Sequence, residues 1–236
     1  MTHELLILTI TAASIGFFHT LFGPDHYLPF IMLSKAKKWS LNKTTWVTLL
    51  CGTGHIFSSV LLGVIGVALG FSIKKLEAIE MFRGGMAAWA LIAFGLVYFV
   101  WGVRRAIRNR PHTHKHYHES DDSHVHRHSH NKEHLHVHEK ESKNITPWIL
   151  FTIFIFGPCE PLIPLLMYPA AKSSYLGLIT VTCVFAAVTL STMLGVVISS
   201  SFGINLLPFG KLERYTHAIA AASICCCGLA IQFLGL

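Results

Sequence analysis

Six apolar stretches, each long enough to cross a bilayer as a helix, leave this chain few ways to fold. They occupy residues 5–33, 46–71, 82–103, 147–169, 174–202 and 211–236, and about 20 helical residues span a hydrocarbon core. Charge is correspondingly scarce: charged side chains make up 13% of the sequence, where a soluble domain carries about 25%. What charge there is clusters, with nine of the 19 Lys and Arg and six of the 12 Asp and Glu between positions 104 and 143. A soluble fold would have to present a surface almost bare of charge, which excludes it. The remaining basic residues sit in short gaps between apolar runs, the pattern of membrane-protein loops rather than of a nucleic-acid-binding face. The six Cys include no CxxC pair, so neither a disulfide framework nor a zinc ribbon is indicated. The expected class is all-α: a polytopic membrane protein of six transmembrane helices, bathed in lipid.

Lys and Arg set the expected orientation. The first, third and fifth loops hold fifteen of them, against Lys74, Lys75, Arg83 and Lys172 on the other side. The positive-inside rule places the odd loops in the cytoplasm and both termini outside, as in a bacterial inner membrane. The N-terminus has neither a positive n-region nor a small-residue cleavage site, so its apolar run reads as the first span of the mature protein.

The two halves resemble each other. Phe22-Gly23-Pro24-Asp25-His26 in the first span is answered by Phe156-Gly157-Pro158-Cys159-Glu160 in the fourth. Lys75-Leu76-Glu77 before the third span returns as Lys211-Leu212-Glu213 before the sixth. Three spans per half is an odd number, so the second copy is expected to be inverted: residues 1–103 and 147–236 form two three-helix repeats joined by the loop 104–146. Inverted repeats built from broken helices place their sites near the midplane. Gly23-Pro24 and Gly157-Pro158 supply the breaks, because proline lacks an N–H and clashes with the preceding turn while glycine accepts distorted dihedrals.

Within the expected spans the ionisable residues reduce to His19, Asp25, His26, His55, Glu160 and His217, with no Lys or Arg deep in any of them. An ionised carboxylate at the bilayer centre costs at least about 2.5–3.5 kcal/mol, so Asp25 and Glu160 call for a cation, a proton or a water-filled cavity. Imidazole with carboxylate suits first-row divalent metals, whereas Mg²⁺ and Ca²⁺ prefer oxygen alone. On an unbroken helix His19 and His26 would stand about 10 Å apart along the axis, beyond the reach of one ion with bonds of about 2.1 Å. Either the Gly23-Pro24 break folds them together or they form two stations on a path. The expected centre is Asp25 and His26, with Cys159 and Glu160 approaching from the other half and His19 beside them. His55 joins them from the second span, where Gly52 and Gly54 permit close helix approach. The other Cys, at positions 51, 183 and 225–227, read as packing residues.

The segment from His19 to Asp25-His26, followed by Gly54-His55 and Ser58, resembles the signature of nickel/cobalt permeases. With six spans and a His-rich loop, the layout resembles the efflux branch of that superfamily, which includes urease-accessory-like and sulfite-exporter-like membrane proteins. The resemblance implies transport of nickel or cobalt, with ligand roles for His19, Asp25, His26 and His55. The Pro158-Cys159 segment is also similar to those of membrane thiol-electron carriers, which need a redox Cys in each half. Asp25 stands in the matching place, which argues against an oxidoreductase.

Eleven of the sixteen His lie between positions 112 and 138. They alternate with other residues in three runs: His112, His114, His116 and His118; His124, His126, His128 and His130; and His134, His136 and His138. So polar a segment cannot bury a core and is expected to be disordered without metal. Such tracts read as metal-binding, here as an accessory that gathers or senses the ion. The leading expectation is a transporter of divalent transition metals, nickel or cobalt before zinc or iron. It would export its cargo, hold no permanent cofactor and be no enzyme, its partners being lipid and metal ions, not nucleic acid. The alternatives are a membrane thiol-redox protein or metalloenzyme, a metal sensor without flux, and an exporter of a sulfite-like anion.

Overall fold

In hydrocarbon a backbone must bond to itself, so long uncharged runs become helices. The structure, a computed structural model, describes residues 3–108, 112–116, 124–128, 145–157, 159, 161–172, 174–206 and 210–235. In chain order the helices are α1 (His3–Phe22), α2 (Leu28–Ala36), α3 (Leu41–Ala68), α4 (Ile73–Arg108), α5 (Thr146–Phe156), α6 (Leu162–Ala171), α7 (Tyr175–Leu206) and α8 (Thr216–Leu234). Among the described residues α1, α3, α4, α7 and α8 are the five long and apolar enough to cross a membrane. The protein is a polytopic helical membrane protein.

Two of the six expected spans are interrupted, at the Gly-Pro steps expected to break them. The stretch 147–169 folds as two short helices, α5 of 11 residues and α6 of 10, with Gly157 closing the first. The stretch 5–33 is likewise divided, into α1 and α2, by a single 3-10 turn over Pro24–His26. In both places the ladder stops where proline withholds an N–H. Other ends are set by familiar chemistry. The Ser40 side chain accepts from the Lys43 N–H to start α3, and Gly70, at a φ of +66°, ends it. There the Phe71 N–H reaches the Gly66 carbonyl at 2.8 Å and the Gly70 N–H the Val67 carbonyl at 3.0 Å, a Schellman cap.

Within the histidine-rich loop, expected to be disordered without metal, the described residues form two paired strands, β1 (His112–His116) and β2 (His124–His128). They run antiparallel, with His112 opposite His128, His114 opposite His126 and His116 opposite His124. Histidine at every second position matches the strand period of two. His118, His130, His134, His136 and His138 lie outside the described residues, as do Pro158 and Glu160.

Small residues bring the helices together. A Cβ at Gly95 of α4 would stand 2.7 Å from the Cys225 nitrogen of α8, and one at Gly102 2.8 Å from that of Ala218. One buried cluster, including Phe30, Leu33, Cys51, Leu91, Phe154 and Met193, ties α2, α3, α4, α5 and α7. A second, including Ala12, Ile56, Cys159, Leu162 and Phe185, joins α1, α3, α6 and α7 around the second break. Trp46, Phe82, Val97 and Phe233 stay exposed on the outside, the apolar surface lipid requires. Among the described residues, polar side chains of several helices meet in the interior at the two breaks.

Candidate metal centre

The first break does what an unbroken helix could not. The Gly23 N–H closes α1 on the His19 carbonyl at 3.0 Å, and the next turn tightens so that the His26 N–H bonds the Gly23 carbonyl at 3.1 Å. His26 is thereby folded back beneath His19, their ring centroids 4.7 Å apart and nearly perpendicular. The side chains lie so close over Gly23 that a Cβ there would meet His26 Nδ1 at 2.6 Å and Asp25 Oδ1 at 3.0 Å. Of the two arrangements left open by the sequence, the folded one holds.

His55 completes the group from α3. Its ring centroid is 5.2 Å from that of His26, and both side chains are 3% exposed. Ligand atoms of His19, His26 and His55 all lie within 4.8 Å of one another, the one such group among the described residues. Hydrogen bonds decide which nitrogens point inward. His55 Nδ1 faces the Phe154 carbonyl at 3.3 Å; a carbonyl only accepts, so Nδ1 carries the proton. His26 Nδ1 lies 3.1 Å from Asp25 Oδ1, and a carboxylate oxygen likewise accepts. Both rings are left with Nε2 as the lone-pair nitrogen. The Nε2 atoms of His19, His26 and His55 are all buried without a hydrogen-bond partner. Buried imidazole nitrogens that make no hydrogen bond are rare because the desolvation goes uncompensated. Here three belong to histidines of one cluster. An imidazole held through its other nitrogen by a carboxylate or a carbonyl is the arrangement that orients metal-binding histidines.

Neither Asp25 nor Cys159 is among the three clustered ligands. Asp25 touches the centre through His26. Cys159 is fully buried in the second apolar cluster and supplies no atom to the three-histidine group. Glu160 is outside the described residues. Gly157 does contribute, since a Cβ there would come within 3.1 Å of His55 Nδ1. His217 is elsewhere, its Nδ1 2.7 Å from the Tyr98 hydroxyl.

One ion pair lies farther inside a helix than its place at the margin of an apolar run suggests. Glu80 and Arg83 are both within α4, the first fully buried and the second 14% exposed, paired at 2.8 Å. Their i, i+3 spacing is visible in the sequence, but Arg83 stands at the start of the apolar run 82–103 and reads with the loop before it.

Comparison with protein families shows that residues 28–230 match the cytochrome c biogenesis protein transmembrane region. Comparison with curated proteins and with solved structures finds no match. The family match overturns the resemblance to nickel/cobalt permeases, which rested on a few residues of the first two spans. A histidine pair at a Gly-Pro break and a Gly-His step on the next helix arise wherever a chain gathers imidazoles at a broken helix, so they do not mark one family.

Proposed function

The chain belongs to the cytochrome c biogenesis transmembrane family, and we propose that within it this protein is a membrane redox carrier whose working centre is a transition-metal ion rather than a pair of thiols. The observation that carries the reading is that ligand atoms of His19, His26 and His55 lie within 4.8 Å of one another at the first break, each ring with a buried, unpartnered Nε2. Asp25 stands where a second redox Cys would be needed to pair with Cys159, and Asp25 holds one of the three imidazoles.

Nitrogen donors of this kind suit copper, iron, nickel and zinc. A carrier of electrons needs an ion that changes oxidation state, which selects copper or iron. His19, His26 and His55 would hold it, leaving one coordination position open, and the low-dielectric surroundings would set its potential. In the overall reaction a partner's dithiol and two oxidised centres give one disulfide, two protons and two reduced centres. No covalent bond of the chain forms or breaks. The Lys and Arg excess of the odd-numbered loops supports a cytoplasmic position for the histidine-rich segment.

The test is a copper-loaded protein in detergent titrated with dithiothreitol and followed by electron paramagnetic resonance. Native protein is expected to show a cupric signal that His55→Ala lacks and that the dithiol bleaches reversibly. No difference signal between the two, or one that dithiol leaves unchanged, would overturn the reading. The eleven histidines between 112 and 138 favour a second reading, in which the centre hands on the ion itself; copper entering vesicles without a change of oxidation state supports that one.

A further inference from the structure

A helix that stops at Gly-Pro leaves its last carbonyls without helical partners, and in a membrane each must find another donor. At the end of α5 the donors come from the closing glycine and from two other helices. The Gly157 N–H reaches the Ile153 and Phe154 carbonyls, at 3.0 and 3.1 Å, and His55 Nδ1 of α3 also bonds that of Phe154. The Ile155 carbonyl accepts from Arg83 Nη2 of α4 at 2.8 Å. The same Nη2 donates to Ser58 Oγ at 2.8 Å, and Ser58 Oγ donates in turn to the His55 carbonyl at 2.8 Å. Nη1 is held by Glu80 Oε1 at 2.8 Å, which keeps the guanidinium charge compensated inside the span.

One guanidinium thus grips both sides of the His55–Phe154 bond: the turn of α3 that carries His55 and the end of α5 that carries the acceptor. At the first break the carbonyl two residues before the glycine, that of Leu21, accepts instead from the Tyr27 hydroxyl at 3.3 Å, so there the turn following the break caps itself. Only at the second break is the cap a charged group from a separate helix.

We infer that Arg83 is a positioning residue for the metal centre: by fixing the end of α5 against α3 it holds the Phe154 carbonyl on His55 Nδ1 and so aims His55 Nε2 at the ion. This rests on the metal reading proposed above. The planar fork of arginine serves three acceptors at once, which the single ammonium of lysine cannot reproduce.

The experiment uses full-length protein in detergent, loaded with Co²⁺, whose visible ligand-field absorption reports the donor geometry. Affinity and spectrum are compared for native protein, His55→Ala, Arg83→Gln and Arg83→Lys, with helix content checked by circular dichroism. Expected for Arg83→Gln is a loss of roughly 10- to 100-fold in affinity, the range found when partners of metal ligands are removed, with an altered spectrum. Arg83→Lys should recover part of both. If Arg83→Gln does not fold, Ser58→Ala, which removes only the hydroxyl between Arg83 and the His55 turn, takes its place, with an expected loss of about 5-fold for one hydrogen bond. Unchanged affinity and spectrum in a folded variant would overturn the positioning role and leave the metal centre intact. Native protein whose Co²⁺ binding equals that of His55→Ala would overturn both.

Discussion

Gly23 shows how a residue without a side chain shapes the centre. Its missing Cβ is the space in which His26 Nδ1 and the Asp25 carboxylate meet. Gly23→Ala is therefore expected to push His26 away from His19 and abolish metal binding, whereas Asp25→Asn keeps the shape and loses the charge. For Asp25→Asn we expect a fall in metal affinity of roughly 10- to 100-fold, read by competition with a chelator of known strength; an unchanged affinity would mean that Asp25 does not orient His26. His19, Asp25, His26 and His55 were legible in the sequence because any ionisable group in an apolar run is conspicuous. That His19 and His26 share one site was not, since it depends on the turn the chain takes after Gly23. Glu80 and Arg83 were hidden for the opposite reason: a charge at the margin of an apolar stretch looks like loop until the helix is seen to begin at Ile73.

Among the elements, α4 and α8 approach most closely where glycine faces backbone. A methyl at Gly95 would stand 2.7 Å from the Cys225 nitrogen and 2.8 Å from its Cα, atoms that cannot swing aside. Gly95→Ala is expected to lower stability by about 2–3 kcal/mol, the upper part of the range for overpacking, seen as a fall in melting temperature in detergent. Gly195→Ala is the control, for nothing lies within 4 Å of a Cβ there, and alanine is the better helix former by about 1 kcal/mol. Equal effects of the two would show that the α4–α8 contact is not as close as described. Helix-forming runs were plain from the sequence, since lack of charge over 20 or more residues permits little else. The break at Gly157-Pro158 was legible as well; how short it leaves α5 and α6, at 11 and 10 residues, was not, because hydropathy averages across it.

For the molecule as a whole, an apolar exterior surrounds two buried apolar clusters, with polar side chains of several helices gathered at the breaks. The ends are joined by polar links from side chains that reach water. Lys172 donates to Glu4 at 2.8 Å between the ends of α6 and α1, and this bond raises the Lys172 pKa. Lys35 donates to the Ile204 carbonyl at 3.2 Å, and Lys37 to Thr146 Oγ1; burial lowers the Lys37 pKa. Between these ends the broken helices deliver imidazoles to one point, on a scaffold shared with cytochrome c biogenesis proteins. The measurement that decides the matter is the metal content of full-length protein, loaded with copper in detergent and washed with a weak chelator. Native protein should retain one ion per chain more than the double variant His26→Ala/His55→Ala, which keeps every histidine of the 112–138 segment. Equal retention by the two would contradict a metal centre at His19, His26 and His55.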